Sequence, residues 1–239
     1  NQIDARQLGG GDVCNWDQKD FTAALQRIAE EVGFDGLYYV CRDHGGPWQR
    51  DKERRDKLPA REAMEIGKES YLEDLLAGFD LLHIDPTKDP HVSGVIAMEI
   101  VLDRTVELIE YAEKERKKRG LPPVSYEVGT EETNGGLTSD QAYSEFIRKL
   151  ADRLKARSLP MPVFIVGQTG TLTRMTENVG RYNLDAAAWL SKDARRFGVG
   201  LKEHNGDYLP DGILYLHPVL GVTATNVAPE FGAAETAAY

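Results

Sequence analysis

Gly36-Leu37-Tyr38-Tyr39-Val40-Cys41-Arg42-Asp43-His44-Gly45-Gly46-Pro47 is the stretch that decides the fold. Its first half is a short aromatic and β-branched run of the kind that forms a buried strand, and it gives way at once to Arg42, Asp43, His44 and a Gly-Gly-Pro turn. A strand that ends in polar, chemistry-capable groups is characteristic of parallel β/α proteins. Upstream, Phe21, Leu25, Ile28, Ala29 and Val32 fall on one helical face, and Gly33 closes that helix.

The same grammar recurs downstream. Residues 60–77 have helical character and lead into an apolar strand over 79–85, which runs out through His83-Ile84-Asp85-Pro86-Thr87-Lys88-Asp89. A helix over 101–119 has a basic last turn, suited to the negative end of the helix dipole, and Gly120, Pro122 and Pro123 stop it. Residues 124–131 form the next strand and end at Gly129-Thr130-Glu131; a helix over 139–157 follows. Strand 162–166 finishes in Gly167-Gln168-Thr169-Gly170-Thr171, and a helix over 184–196 leads to Gly198-Val199-Gly200-Leu201-Lys202-Glu203-His204. A last strand is expected over 212–216, before His217. The alternation implies parallel sheet with right-handed crossovers, which a doubly wound sheet and a closed barrel both satisfy. Reactive side chains at nearly every strand end favour the barrel. The expected fold class is therefore α/β, a (β/α)8 TIM barrel that is incomplete in this chain, with residues 1–239 as one barrel domain of a longer polypeptide.

Composition excludes several functions. With 29 Lys+Arg against 39 Asp+Glu, the formal charge of -10 gives no general attraction to nucleic acid or anionic lipid, so any phosphate site must be local. Cys14 and Cys41 have neither CxxC spacing nor a His/Cys cluster, which argues against zinc fingers and disulfide frameworks and makes a cytoplasmic location the expectation. No apolar run approaches the roughly 20 residues needed to span a bilayer, and the polar opening Asn1-Gln2-Ile3-Asp4 is not a signal peptide. Gly167-Gln168-Thr169-Gly170 is neither a P-loop nor a GxGxxG turn, Gly9-Gly10-Gly11 follows no visible strand, and no GxSxG elbow occurs.

Among the strand-end groups, Asp43-His44 pairs a metal-capable imidazole with a carboxylate able to handle a substrate proton, the alternative being a helix-capping Asp beside a hydrogen-bonded histidine. His83 and Asp85 lie two apart and face one side of an extended strand; an N-capping Asp before Pro86 and a core histidine would explain them equally. Glu127, Gly129 and Glu131 share a face, and Glu127 needs either a cation or a basic partner such as Lys202 if buried. Gln168 offers a carbonyl oxygen to metal or an amide to a sugar hydroxyl. Glu203-His204-Asn205-Gly206-Asp207 is dense in ligands, with His204 the second candidate for metal after His44. Lys88 and Lys202 are candidates for a phosphate or a developing oxyanion.

In this order, Asn1-Gln2 with Gly9-Gly10, Asp43-His44-Gly45-Gly46-Pro47, His83-Ile84-Asp85, Gly129-Thr130-Glu131, Gln168 and Glu203-His204 with Asp207-Tyr208 resemble the class II tagatose-1,6-bisphosphate aldolase family, specifically its GatZ/KbaZ subunits. The resemblance covers almost the whole chain and implies an eight-stranded barrel entered just beyond the second strand and left around the eighth. It implies that Asp43 handles the proton and that His44 and His204 bind a divalent metal, zinc by family habit. Catalytic relatives have another histidine where this chain has Gln168, which agrees with the family's usual label of accessory subunit. Some members have been called tagatose-6-phosphate kinases, a name that no phosphate loop here supports.

The expected function is retro-aldol cleavage or C4 epimerisation of a ketose or ketose phosphate through an enediolate. Asp43, Glu131 and Asp85 are the expected catalytic acids and bases. His44, His204, Glu131 and Gln168 are the metal candidates, and His83, Lys88, Lys202, Asn205 and Asp207 the substrate contacts. The alternative is a non-catalytic subunit that stabilises a separate aldolase. Expected partners are the sugar itself and either further copies of this chain or a catalytic aldolase subunit.

Overall fold

The computed structural model describes residues 16–130 and 139–239, which form two compact units divided after Gly129. Glu131, Gly9-Gly10 and Cys14 lie outside the described residues.

The first unit runs α1 (Gln18–Glu31), β1 (Cys41–Gly45), α2 (Asp51–Arg55), α3 (Ala60–Ala77), β2 (Leu81–Ile84), α4 (Met98–Arg119) and β3 (Ser125–Val128). Its strands are parallel, with β2 between β1 and β3 and the register Leu82↔Tyr126, His83↔Glu127. Alternation along a strand puts Leu82 and Tyr126 on one face and His83 and Glu127 on the other, yet all four are fully buried. Leu102, Leu108 and Ile109 of α4 are buried with them. Gly78 and Gly120 end α3 and α4 in the left-handed region (φ 83° and 66°), where a residue without Cβ carries no steric cost.

The second unit contains α5 (Asp140–Ala156), β4 (Phe164–Gly167), the antiparallel pair β5 (Thr173–Arg174) and β6 (Glu177–Asn178), and α6 (Leu184–Arg196). There follow β7 (Gly200–Glu203), α7 (Asp211–Leu214), α8 (His217–Leu220), β8 (Val222–Thr225) and α9 (Pro229–Ala238). Here β7 is central, parallel to β4 and β8. Ser139 and Asn183 cap α5 and α6 through side-chain oxygens that accept from Ala142 N and Ala186 N. Ile147, Leu150, Leu154, Ile165 and Leu190 form the buried interior.

Both units are therefore α/β, with parallel strands apart from the short β5–β6 pair. Two expectations about elements are corrected. The first strand lies at Cys41–Gly45 rather than over 36–41, because the polar residues pair with β2 while Leu37 and Tyr39 stay 88% and 67% exposed. Residues 212–216 are not a strand: Asp211–Leu214 is a helical turn after Pro210, and the strand is Val222–Thr225, a β-branched run released by Gly221 at φ 84°. Among the described residues, no helix is long and apolar enough to cross a membrane.

Candidate functional site

The end of β1 is an irregular strand end built against α3. Its register with β2 shifts between Arg42 and Gly45, and His44 sits at φ 49°, in the left-handed region. In a regular strand, neighbours 43 and 44 would face opposite sides. The irregularity instead brings His44 Nε2 to 3.8 Å from Asp43 Oδ1. A Cβ on Gly45 would lie 2.6 Å from the Tyr71 ring, and one on Gly67 would lie 2.9 Å from the Gly46 backbone, so glycine is what lets α3 approach this closely. Below the site, the buried Arg42 guanidinium donates to both oxygens of Asp74 (2.8 and 2.5 Å) and to Ser70 Oγ (2.8 Å).

At the end of β2, His83 is fully buried and takes the place of the basic partner that Glu127 requires. Its Nδ1 lies 3.3 Å from Glu127 Oε1, 3.6 Å from Asp43 Oδ1 and 3.1 Å from the His44 backbone N–H. Burial opposes a charge on His83, but the carboxylates of Glu127, Asp43 and Asp85 outweigh it and raise its pKa. Tyr71 Oη donates to the His83 carbonyl at 2.8 Å, fixing the strand end to α3. Asp85, 3% exposed, lies 2.7 Å through Oδ2 from His44 Nδ1, and its Oδ1 accepts from the Thr87 hydroxyl and N–H. Burial works against ionising Asp85, but His44, His83 and Thr87 hold its carboxyl far below the ordinary carboxylate range.

Ligand atoms of Asp43, His44 and His83 thus lie within 4.8 Å of one another. An imidazole beside a carboxylate is the donor chemistry of zinc and of similar borderline divalent cations, so His44 with its neighbours fits a divalent cation.

In the second unit, Gln168 (1% exposed) follows β4 and His204 (4%) follows β7. The Thr171 hydroxyl donates to the His204 carbonyl at 2.5 Å. Asn205 is half-buried at φ 59°, and Asn178 Nδ2 donates to its carbonyl. Asp207 acts as a brace: its Oδ1 accepts from Ala228 N and Glu230 N at the start of α9 (2.7 and 3.0 Å). Lys202 in β7 is half-buried, as is Lys88 in the loop after β2.

The structure brings Asp43, His44, His83 and Asp85 together at the ends of β1 and β2. Glu203 and His217 were missed as a pair. Glu203 is fully buried, accepts from Thr169 Oγ1 (2.5 Å) and Thr225 Oγ1 (3.5 Å), and lies 3.3 Å from His217 Nε2. Burial pushes its carboxyl up to about 7 against those hydroxyls, and burial pushes His217 down. Alternation with the buried Leu201 was the available signal that Glu203 points inward.

The chain is similar to several solved structures. It superposes with a TM-score of 0.73 at 24% identity on a probable tagatose 6 phosphate kinase from Sinorhizobium meliloti 1021, covering 90% of this chain and 54% of that one. The YdjI aldolase from Escherichia coli K12 gives a TM-score of 0.54 at 15% identity, over 95% of this chain and 65% of the other. The fructuronate-tagaturonate epimerase UxaE from Cohnella laeviribosi gives 0.53 at 12% identity, over 85% and 46%. This chain therefore spans about half to two thirds of the length of these neighbours, whose likeness is one of fold. No curated protein matches it. Residues 1–154 match the family described as D-tagatose-1,6-bisphosphate aldolase subunit GatZ/KbaZ-like, and with well over half its length so matched, the chain belongs to that family.

Proposed function

We propose that this chain carries the metal site of a carbohydrate enzyme acting on a ketose or ketose phosphate by retro-aldol cleavage or C4 epimerisation. The observation that carries the proposal is the meeting of Asp43, His44 and His83 at the ends of adjacent parallel strands. His44 Nε2 is the first metal donor, and family resemblance adds His204, with Gln168 and Glu131 as further candidates. When bound, a divalent cation, zinc by donor chemistry, supplies positive charge against the oxyanion that develops on the ketose carbonyl.

Asp43 is the proton carrier. Its side chain is 43% exposed, accessible to a substrate hydroxyl, and lies beside His44 and His83. His83, held by Glu127, orients a substrate oxygen. Lys88, Lys202 and Asn205 are proposed contacts to the sugar or its phosphate, and Asp207 enters by fixing the loop that carries Asn205. The accompanying fold proposal is one TIM-barrel domain, working in the cytoplasm.

A second reading is favoured by Gln168, buried where the family's catalytic relatives have a histidine: an accessory subunit that stabilises a separate aldolase. Metal content of the full-length protein before and after chelation, with product analysis on tagatose, fructose and their phosphates, separates these. Bound metal with turnover that is lost in Asp43→Asn is expected. Absence of both metal and turnover sinks the enzyme reading, and a rise in a partner aldolase's activity supports the accessory one. Turnover without triose release selects the epimerase.

A further inference from the structure

We infer that Asp85 is a positioning residue that fixes the tautomer of His44, rather than a group that exchanges protons with substrate; the inference rests on the proposed metal site.

Four observations converge. His44 Nδ1 lies 2.7 Å from Asp85 Oδ2. An ionised carboxylate only accepts, so Nδ1 must carry the hydrogen. The lone pair of the neutral ring is then on Nε2, the atom that faces Asp43 at 3.8 Å. Second, Asp85 is itself held: Oδ1 accepts from the Thr87 hydroxyl and N–H, its backbone N–H donates to the Gly45 carbonyl at 2.8 Å, and its carbonyl accepts from Gln49 Nε2 at 2.7 Å. Third, at 3% exposure and with both carboxylate oxygens engaged inside the protein, Asp85 offers little to a substrate proton. Fourth, a Cβ on Gly129 would fall 3.1 Å from Asp85 Oδ1 and 3.2 Å from His83 Nε2, so the next strand end is kept bare where the carboxylate sits.

This is the carboxylate–histidine arrangement that orients a metal ligand and raises its basicity, where loss of the carboxylate typically costs about 10–100-fold in metal affinity. His44, in the left-handed region, has an unusual backbone, so a second anchor on its ring has a clear physical use.

The test is Asp85→Asn. If the new amide presents its NH2 to Nδ1, the proton is driven to Nε2, so the ring keeps its place but loses its metal-facing lone pair. In the metal-free full-length protein at pH 8, 15N spectra of labelled histidine should show His44 protonated at Nδ1 in the wild type and at Nε2 in Asp85→Asn. Zinc affinity, measured by competition with a chromophoric chelator, should fall about 10–100-fold. Thr87→Ala, which loosens Asp85 without removing it, should give a smaller loss in the same direction and serves if Asp85→Asn fails to fold. An Nε2-protonated His44 in the wild type, or a zinc affinity unchanged in both Asp85→Asn and Thr87→Ala, overturns the inference. The tautomer is read without metal, so an Nδ1-protonated His44 in a wild-type protein that binds no zinc fails the metal reading alone.

Discussion

Glu203 is a carboxyl buried among hydroxyls and an imidazole, and its environment makes a definite prediction about pH. Its pKa is raised from 4.5 to about 7, so the native state keeps the proton after the unfolded chain has released it. The native state then binds more protons between those values, and stability must fall as pH rises through that window. The full effect is reached above about pH 7 and is on the order of 3 kcal/mol. Glu203→Gln keeps the shape and cannot ionise. In chelator-treated protein, denaturant unfolding should show wild-type stability declining relative to Glu203→Gln between about pH 5 and 8; parallel curves would exclude the buried acid. The site was only partly legible at this scale. Asp43, His44, His83 and Asp85 could be picked out because they end apolar runs, but neighbouring residues 43 and 44 approach each other through an irregular register that no periodicity announces. Glu203 was overshadowed by His204, although its buried face follows from strand alternation.

Elements place these residues, and α3 does most of it in the first unit. It meets the β1 and β2 ends through Arg42–Asp74, Ser70, the Tyr71 hydrogen bond and the close approach of Gly67 to Gly46. The Arg42–Asp74 pair is buried on both sides. Removing one partner leaves an uncompensated charge and costs about 3–5 kcal/mol, whereas a buried pair replaced whole by apolar residues can be nearly neutral. Asp74→Ala is therefore expected to lower the unfolding midpoint strongly, and Arg42→Met with Asp74→Leu to cost less than Asp74→Ala alone. Equal or greater loss in the double variant would mean that Arg42 stabilises mainly through other contacts. The displaced strand calls for the same physics: Leu37, Tyr38 and Tyr39 have strand composition, but a strand forms where hydrogen-bonding partners exist, and β2 supplies them from Cys41 onward. Helices α3 to α6 were legible because caps and left-handed glycines mark their ends locally, whereas Asp211–Leu214 is too short to show helical periodicity.

At the scale of the whole molecule, the proposed metal site would link binding to folding. Each unit has its own core, and the proposed donors sit at strand ends. The protein should thus fold without metal and gain stability with it. At a free zinc concentration of about 100 times the dissociation constant the gain is about 2.7 kcal/mol. For a chain of 239 residues this corresponds to a rise of about 5–10 °C in the thermal midpoint, reversed by a chelator. His44→Ala should lower the metal-free midpoint, because it leaves the buried Asp85 carboxylate without its 2.7 Å partner, and should abolish the zinc-dependent rise measured from that variant's own metal-free midpoint. His204→Ala tests the proposed second donor by the same measurement. A zinc-dependent rise that survives His44→Ala would place the metal elsewhere on this acidic chain, and the competition assay would then report an affinity unaffected by the substitution.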